Sequence, residues 1–137
     1  MKVTLSIPTI NDYTAVNFDV LFDLWNKANN DNLDVTFEFS QCNFLRHNAV
    51  AFLGGLARLI EERHGNVTFD WSTLKNNWAR TNLEQNGFIS AFGHSSGPWT
   101  GNSIPYREDL CQDKAVLVDY LKTKWLGHGW VHVSERL

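Results

Sequence analysis

At 137 residues the chain has the length of one domain. Its 43% hydrophobic and 20% charged residues are ordinary globular usage, which excludes a disordered, collagen-like or fibrous chain. Twelve Lys and Arg against fifteen Asp and Glu leave a net charge of -3, so no global positive field gathers phosphates, and nucleic acid is disfavoured as a partner. Six Trp, nine Phe and three Tyr supply apolar area for a core or an interface, between which composition does not choose. Cys42 and Cys111 stand far apart without a CxxC pair and read as reduced thiols. The N-terminus lacks the apolar stretch of a signal peptide, and no apolar run approaches the ~18 residues of a membrane span. A cytoplasmic location with no membrane partner is expected.

Val3, Leu5 and Ile7 alternate with polar residues up to Pro8, the pattern of a half-buried strand. A helix follows, capped by Asp12 or Thr14, with Phe18, Leu21, Phe22 and Trp25 at helical spacing. Val35, Phe37 and Phe39 alternate as a second strand. From about Leu45 to Arg63 the spacing of Val50, Leu53, Ala57 and Ile60 predicts a second helix, with Gly65 at its C-cap. Gly54-Gly55 inside it is either a tolerated weakness or a place where a neighbouring backbone comes close. Val67, Phe69 and Trp71 form a third strand. Ser72 or Thr73 then caps a helix that turns Leu74, Trp78, Thr81 and Leu83 inward and stops at Gly87.

Residues 93–107 lose periodicity and read as loop, with Ile104-Pro105-Tyr106 as a short edge element. A last helix over about Asp113 to Leu126 turns Val116, Leu117, Tyr120, Leu121 and Trp125 inward, and Trp130, Val131 and Val133 are extended. The end, Ser134-Glu135-Arg136-Leu137, reads as a cap and first helical turn, either the start of a helix that continues in a longer chain or a frayed natural C-terminus.

Strand, helix, strand, helix, strand without tight hairpins indicates crossovers and an α/β fold, a mixed sheet with parallel neighbours covered by helices. No Gly-x-Gly-x-x-Gly or GxxxxGK[ST] is present, so neither a dinucleotide fold nor a phosphate loop is encoded, and no cofactor is expected.

The run Val35-Thr36-Phe37-Glu38-Phe39-Ser40-Gln41-Cys42-Asn43-Phe44-Leu45, the helix after it, the strand Val67 to Trp71, a further helix and Asn86-Gly87-Phe88 together resemble the STAS domain of sulfate transporters and anti-sigma-factor antagonists, over residues 35–88. With Phe44 to Gly55 and Gly101 to Asp109 included, residues 1–137 resemble the single STAS-like N-terminal domain of bacterial proteins that continue into a histidine-kinase-type (GHKL) ATPase. In anti-sigma antagonists the turn before the long helix carries Asp-Ser-Ser or Asp-Ser-Thr, where serine phosphorylation switches partner binding. Arg46-His47-Asn48 stands there in this chain. Neither His47 nor Asn48 takes a stable phosphoester and Arg46 reverses the charge, so the resemblance implies a degenerate phospho-switch beside a helix face that still docks protein.

His94, His128 and His132 lack the i, i+4 spacing of a zinc helix, and no metal site is expected. Cys42 and His47 lack a predicted third group to orient the imidazole, which favours a buried structural thiol. Ser95 and Ser96 beside His94, with Arg107 and Glu108 nearby, offer nucleophile, base and acid without a hydrolase motif. Trp99, Asn102, Ile104, Pro105, Tyr106, Arg107 and Glu108 suit a partner-binding edge, the alternative being that Trp99 and Tyr106 cover the sheet end. Arg58, Arg63, Lys75, Arg80, Lys114, Lys122 and Lys124 read as a solvated surface. The leading expectation is a non-catalytic interaction module that docks a downstream or separate GHKL-type ATPase or a second copy of itself. An enzyme with a site in residues 94–108 and a small-ligand sensor are the alternatives.

Overall fold

Three strands form the sheet in the order β1 (Lys2–Ser6), β2 (Asp34–Glu38), β3 (Val67–Asp70), every neighbour parallel. The computed structural model describes residues 1–11, 15–93, 104–108 and 113–126. The expected α/β order is present, but the described sheet is all parallel rather than mixed. Each connection carries a helix back along the sheet, α1 (Ala15–Ala28) after β1 and α2 (His47–Glu62) after β2, so every strand starts from the same edge. Both crossovers advance in one direction across the sheet, and α1 and α2 therefore lie side by side on one face, in contact with each other.

That face carries the alternating apolar residues of the strands: Leu5, Val35, Phe37 and Phe69 are all buried. The other face presents aligned polar rows, Thr4-Thr36-Thr68 and Ser6-Glu38-Asp70. Beyond the strands, Phe39 and Trp71 extend the apolar layer as a stack with ring centroids 4.9 Å apart. Thr73 joins the two strand ends, its Oγ1 accepting the Phe39 N–H at 2.7 Å and donating to the Asp70 carbonyl at 2.6 Å.

In α2 the predicted inner residues Val50, Leu53, Ala57 and Ile60 are buried as expected. Its end differs in detail. His64, at φ 66°, takes the left-handed position, while the Gly65 N–H returns to the Ile60 carbonyl at 3.0 Å and that of His64 to Glu61 at 3.0 Å, a Schellman closure. Gly65 is needed for space instead, since a Cβ there would overlap the Leu33 carbonyl oxygen.

Two helices turn differently from the expectation. In α1 the buried residues are Leu21, Leu24 and Ala28, and Phe18, Phe22 and Trp25 are left on an exposed flank; the caps proposed at Asp12 and Thr14 lie outside the described residues. Trp71–Thr73 form a 3-10 turn, so the next helix, α3 (Asn77–Gln85), starts later and is capped by Asn76, whose side chain accepts the Ala79 N–H at 3.0 Å. That start buries Ala79 and Leu83 and leaves Trp78 76% exposed. Gly87, at φ 82°, stops α3 as predicted, and one helical turn, α4 (Phe88–Ala91), follows.

The last helix, α5 (Lys114–Tyr120), widens into π-type turns over Leu121–Leu126. None of α5 is buried, and Val116, Leu117 and Leu121, expected on an inner face, are exposed. Among the described residues no helix is long and apolar enough to cross a membrane. The expected extended segment at Trp130, Val131 and Val133 lies outside them.

Candidate functional site

The site is built on α2. Parallel pairing at Ile10 and Leu45 fixes the start of this helix: Ile10 N–H bonds the Phe44 carbonyl at 3.0 Å and Arg46 N–H bonds the Ile10 carbonyl at 2.9 Å. Arg46 then occupies the N-cap, and Arg46, His47 and Asn48 are all exposed. From His47 the outward side of α2 runs through Ala51 and Gly55, both exposed, to Arg58.

Gly54 explains the glycine pair. The close neighbour is a side chain and not a backbone: the Tyr106 ring lies across Gly54, and a Cβ there would collide with Oη and stand 2.7 Å from Cε2 and Cζ. Gly55 meets nothing within 4 Å. Tyr106 is half-buried and packs edge-on to Phe88, centroids 4.9 Å apart, with Phe92 beside it at 6.0 Å. Its N–H bonds the Asn86 carbonyl at 2.7 Å. The Pro105 carbonyl accepts the Tyr120 hydroxyl at 2.6 Å, and the Arg107 guanidinium sits 5.4 Å from the centre of that ring. Segment 104–108 is thus an irregular strap held from both sides, not an edge strand.

Between the strap and α2 lies an open groove of about 570 Å³. Its lining includes His47, Ala51, Gly55, Pro105, Arg107 and Tyr120. At one end Arg58 Nε donates to both carboxylate oxygens of Glu108 at 3.0 Å, while Nη1 donates to Glu61 at 3.0 to 3.1 Å. The guanidinium also lies 4.6 Å from the centroid of Phe92. Partial burial pushes the Glu108 carboxyl up, but hydrogen bonds from Arg58 and from the Tyr106 hydroxyl at 2.8 Å, with the Arg58 charge, outweigh this and hold it below its ordinary value. Burial and the Glu108 contact push the Tyr106 phenol up, so the hydroxyl stays protonated as the donor. Ion pairs this exposed contribute little stability, ~0 to 1 kcal/mol, and serve to set the position of the strap.

Of the residues proposed for partner binding, Ile104 is buried, Pro105 and Tyr106 are half-buried, and Arg107 and Glu108 are exposed on the groove. Trp99 and Asn102 lie outside the described residues, as do His94, Ser95, Ser96, Cys111, His128 and His132. Of Arg46, His47 and Asn48, expected from the resemblance to be a degenerate phospho-switch turn, His47 lines the groove. Cys42 is buried, its thiol pushed up to about 11 by burial and directed to the Phe44 carbonyl at 3.7 Å, which leaves it without thiolate character near neutrality.

Sequence reasoning missed Ala51, Asn86 and Tyr120 as parts of this site and took Arg58 and Arg80 for solvated charges. Arg80 instead donates from Nη2 to the Trp71 and Leu74 carbonyls, closing the turn after β3. The glycine pair on α2 and the run Ile104 to Glu108 each signal one wall of the groove, but nothing in the sequence signals that they face each other. Among the described residues no group of three or more His, Cys, Asp or Glu is placed to hold a metal ion. Chemically the groove offers an apolar floor with hydrogen-bonding and charged groups at its ends, a surface suited to holding a chain segment. No protein family, curated protein or solved structure compared with this chain matches it.

Proposed function

We propose that this chain is a non-catalytic, STAS-like regulatory module of the cytoplasm that docks a GHKL-type ATPase, downstream in the same chain or separate, along the groove between α2 and the strap. The alternation of parallel strands and helices supports the STAS-like part of this reading, as does the position of Arg46-His47-Asn48 where that family places its partner-binding turn. One observation carries the docking part. The exposed floor of Ala51 and Gly55, with open space above Gly55, lets a partner backbone approach α2 between walls that are already fixed. Preformed walls lower the ordering cost of association. Arg107 and Glu108 on the strap and His47 at the mouth add polar contacts that orient the incoming segment.

Calorimetric titration of a GHKL-type ATPase domain into this domain tests the reading. Ala51→Arg places a long side chain on the groove floor at an exposed helical position where arginine is well tolerated. The expected result is saturable binding by the wild type and a Kd at least about tenfold weaker for the variant, with an unchanged melting temperature. Absence of binding by the wild type, or equal affinity for both proteins, would contradict the proposal.

A further inference from the structure

The two ends of the groove differ in charge. Along α2 it is lined by one row, His47, Ala51, Gly55, Arg58 and Glu62, about 22 Å long at the helical rise. Ala51 and Gly55 leave the middle of the row uncharged. At the Arg58 end, Glu61 and Glu108 both bind the guanidinium at 3.0 Å, and Glu62 stands one turn beyond Arg58. Three carboxylates thus gather around one guanidinium. Glu61 and Glu108 are paired by it, whereas the exposed Glu62 side chain makes no ion pair or hydrogen bond with any described residue.

The fold does not reward a carboxylate at this position. α2 ends on Glu61 and Glu62 with no basic residue in its last turn, so Glu62 sits at the negative end of the helix dipole, where a carboxylate is unfavourable. Arg63 at the C-cap meets Asp31 instead, 4.0 Å away. A cation brought in by the docked segment relieves both costs, pairing the carboxylate and offsetting the dipole.

We propose, resting on the docking reading above, that the segment entering the groove carries a lysine or arginine that seats against Glu62, beside the clamp of Arg58 on Glu108. The partner is thereby given a chemistry: a basic anchor at the acidic end of α2, with a small, uncharged stretch over Ala51 and Gly55.

Calorimetric titration of a GHKL-type ATPase domain into Glu62 variants tests the proposal. Glu62→Gln is expected to raise the Kd about threefold and Glu62→Lys at least about tenfold. At about 1 M salt, where screening reaches within ~3 Å, the affinities should converge. Asp19→Lys, on α1 outside the groove lining, makes the same change of net charge and should leave binding as in the wild type. The free domain is expected to respond in the opposite sense: Glu62→Lys places a cation at the helix C-terminus and should hold or raise the melting temperature. Equal affinity of wild type and Glu62→Lys, while Ala51→Arg still loses binding, would overturn the basic anchor and leave docking in the groove standing. Equal losses from Glu62→Lys and Asp19→Lys, or a melting temperature lowered by Glu62→Lys, would also overturn it, and a wild type that binds nothing would remove anchor and docking together.

Discussion

Replacing Gly54 by alanine is expected to destabilise the domain by about 1 to 3 kcal/mol, even though alanine is the better helix former by about 1 kcal/mol. The new methyl group would occupy the space of the Tyr106 ring. Leu53 and Ala57 are buried on the inner side of α2 and prevent the helix from moving back, so the ring must swing out. That movement breaks the Tyr106 to Glu108 hydrogen bond and strips contacts from Phe88 and Phe92. Chemical denaturation of Gly54→Ala, Tyr106→Ala and the double variant separates packing from propensity. With Tyr106 already truncated, Gly54→Ala should cost nothing or stabilise by up to about 1 kcal/mol. Equal losses in both backgrounds would show that the ring does not sit on Gly54.

The second large effect is expected from Phe69→Ala, about 3 to 5 kcal/mol of stability and a fall in melting temperature on the order of 10 °C or more. Phe69 lies where the strands meet the helices: its ring is 5.2 Å from those of Phe37 and Trp71, 5.5 Å from Phe88 and 4.6 Å from Phe92. Phe92 in turn lies under Arg58, so the same cluster supports the end of the groove. Trp78→Ala makes the contrast, since a side chain 76% exposed should change stability by less than ~0.5 kcal/mol. Similar losses for the two variants in thermal denaturation would contradict this placement of the core.

What the sequence made legible follows from which interactions are local. The period-2 pattern of Val35, Phe37 and Phe39 and the helical spacing of Val50, Leu53, Ala57 and Ile60 survive because each element has one face to bury. The helical stripe of Phe18, Phe22 and Trp25 satisfies the same period and yet is not the buried one. Leu21, Leu24 and Ala28 share that period, and the choice between two apolar stripes on α1 is made by the packing of α2 and the sheet. A cap at Ser72 or Thr73 puts Trp78 inside; the short turn after β3 delays the helix to Asn77 and rotates it.

The groove was half legible. The polar and aromatic run at residues 104–108 was read as an interface or a lid, and Tyr106 has features of both, being packed on the core and lining the groove. Its seat on Gly54 joins positions 52 residues apart, which no periodicity reports. The pairing of Arg58 with Glu108 is equally remote, whereas its Glu61 contact at i+3 is local. Arg80 is illegible for another reason: its partners are backbone carbonyls, which carry no residue signal.

We propose that a protein segment docks along α2 beside the strap. The most direct measurement is the amide spectrum of the isotope-labelled domain during titration with a GHKL-type ATPase domain. Shifts are expected to concentrate at His47, Ala51, Gly55, Arg58 and Arg107, with β1 and the polar sheet face unchanged. Shifts confined to the sheet face or to the outer flank of α1, or a spectrum that does not move at saturating partner, would contradict it.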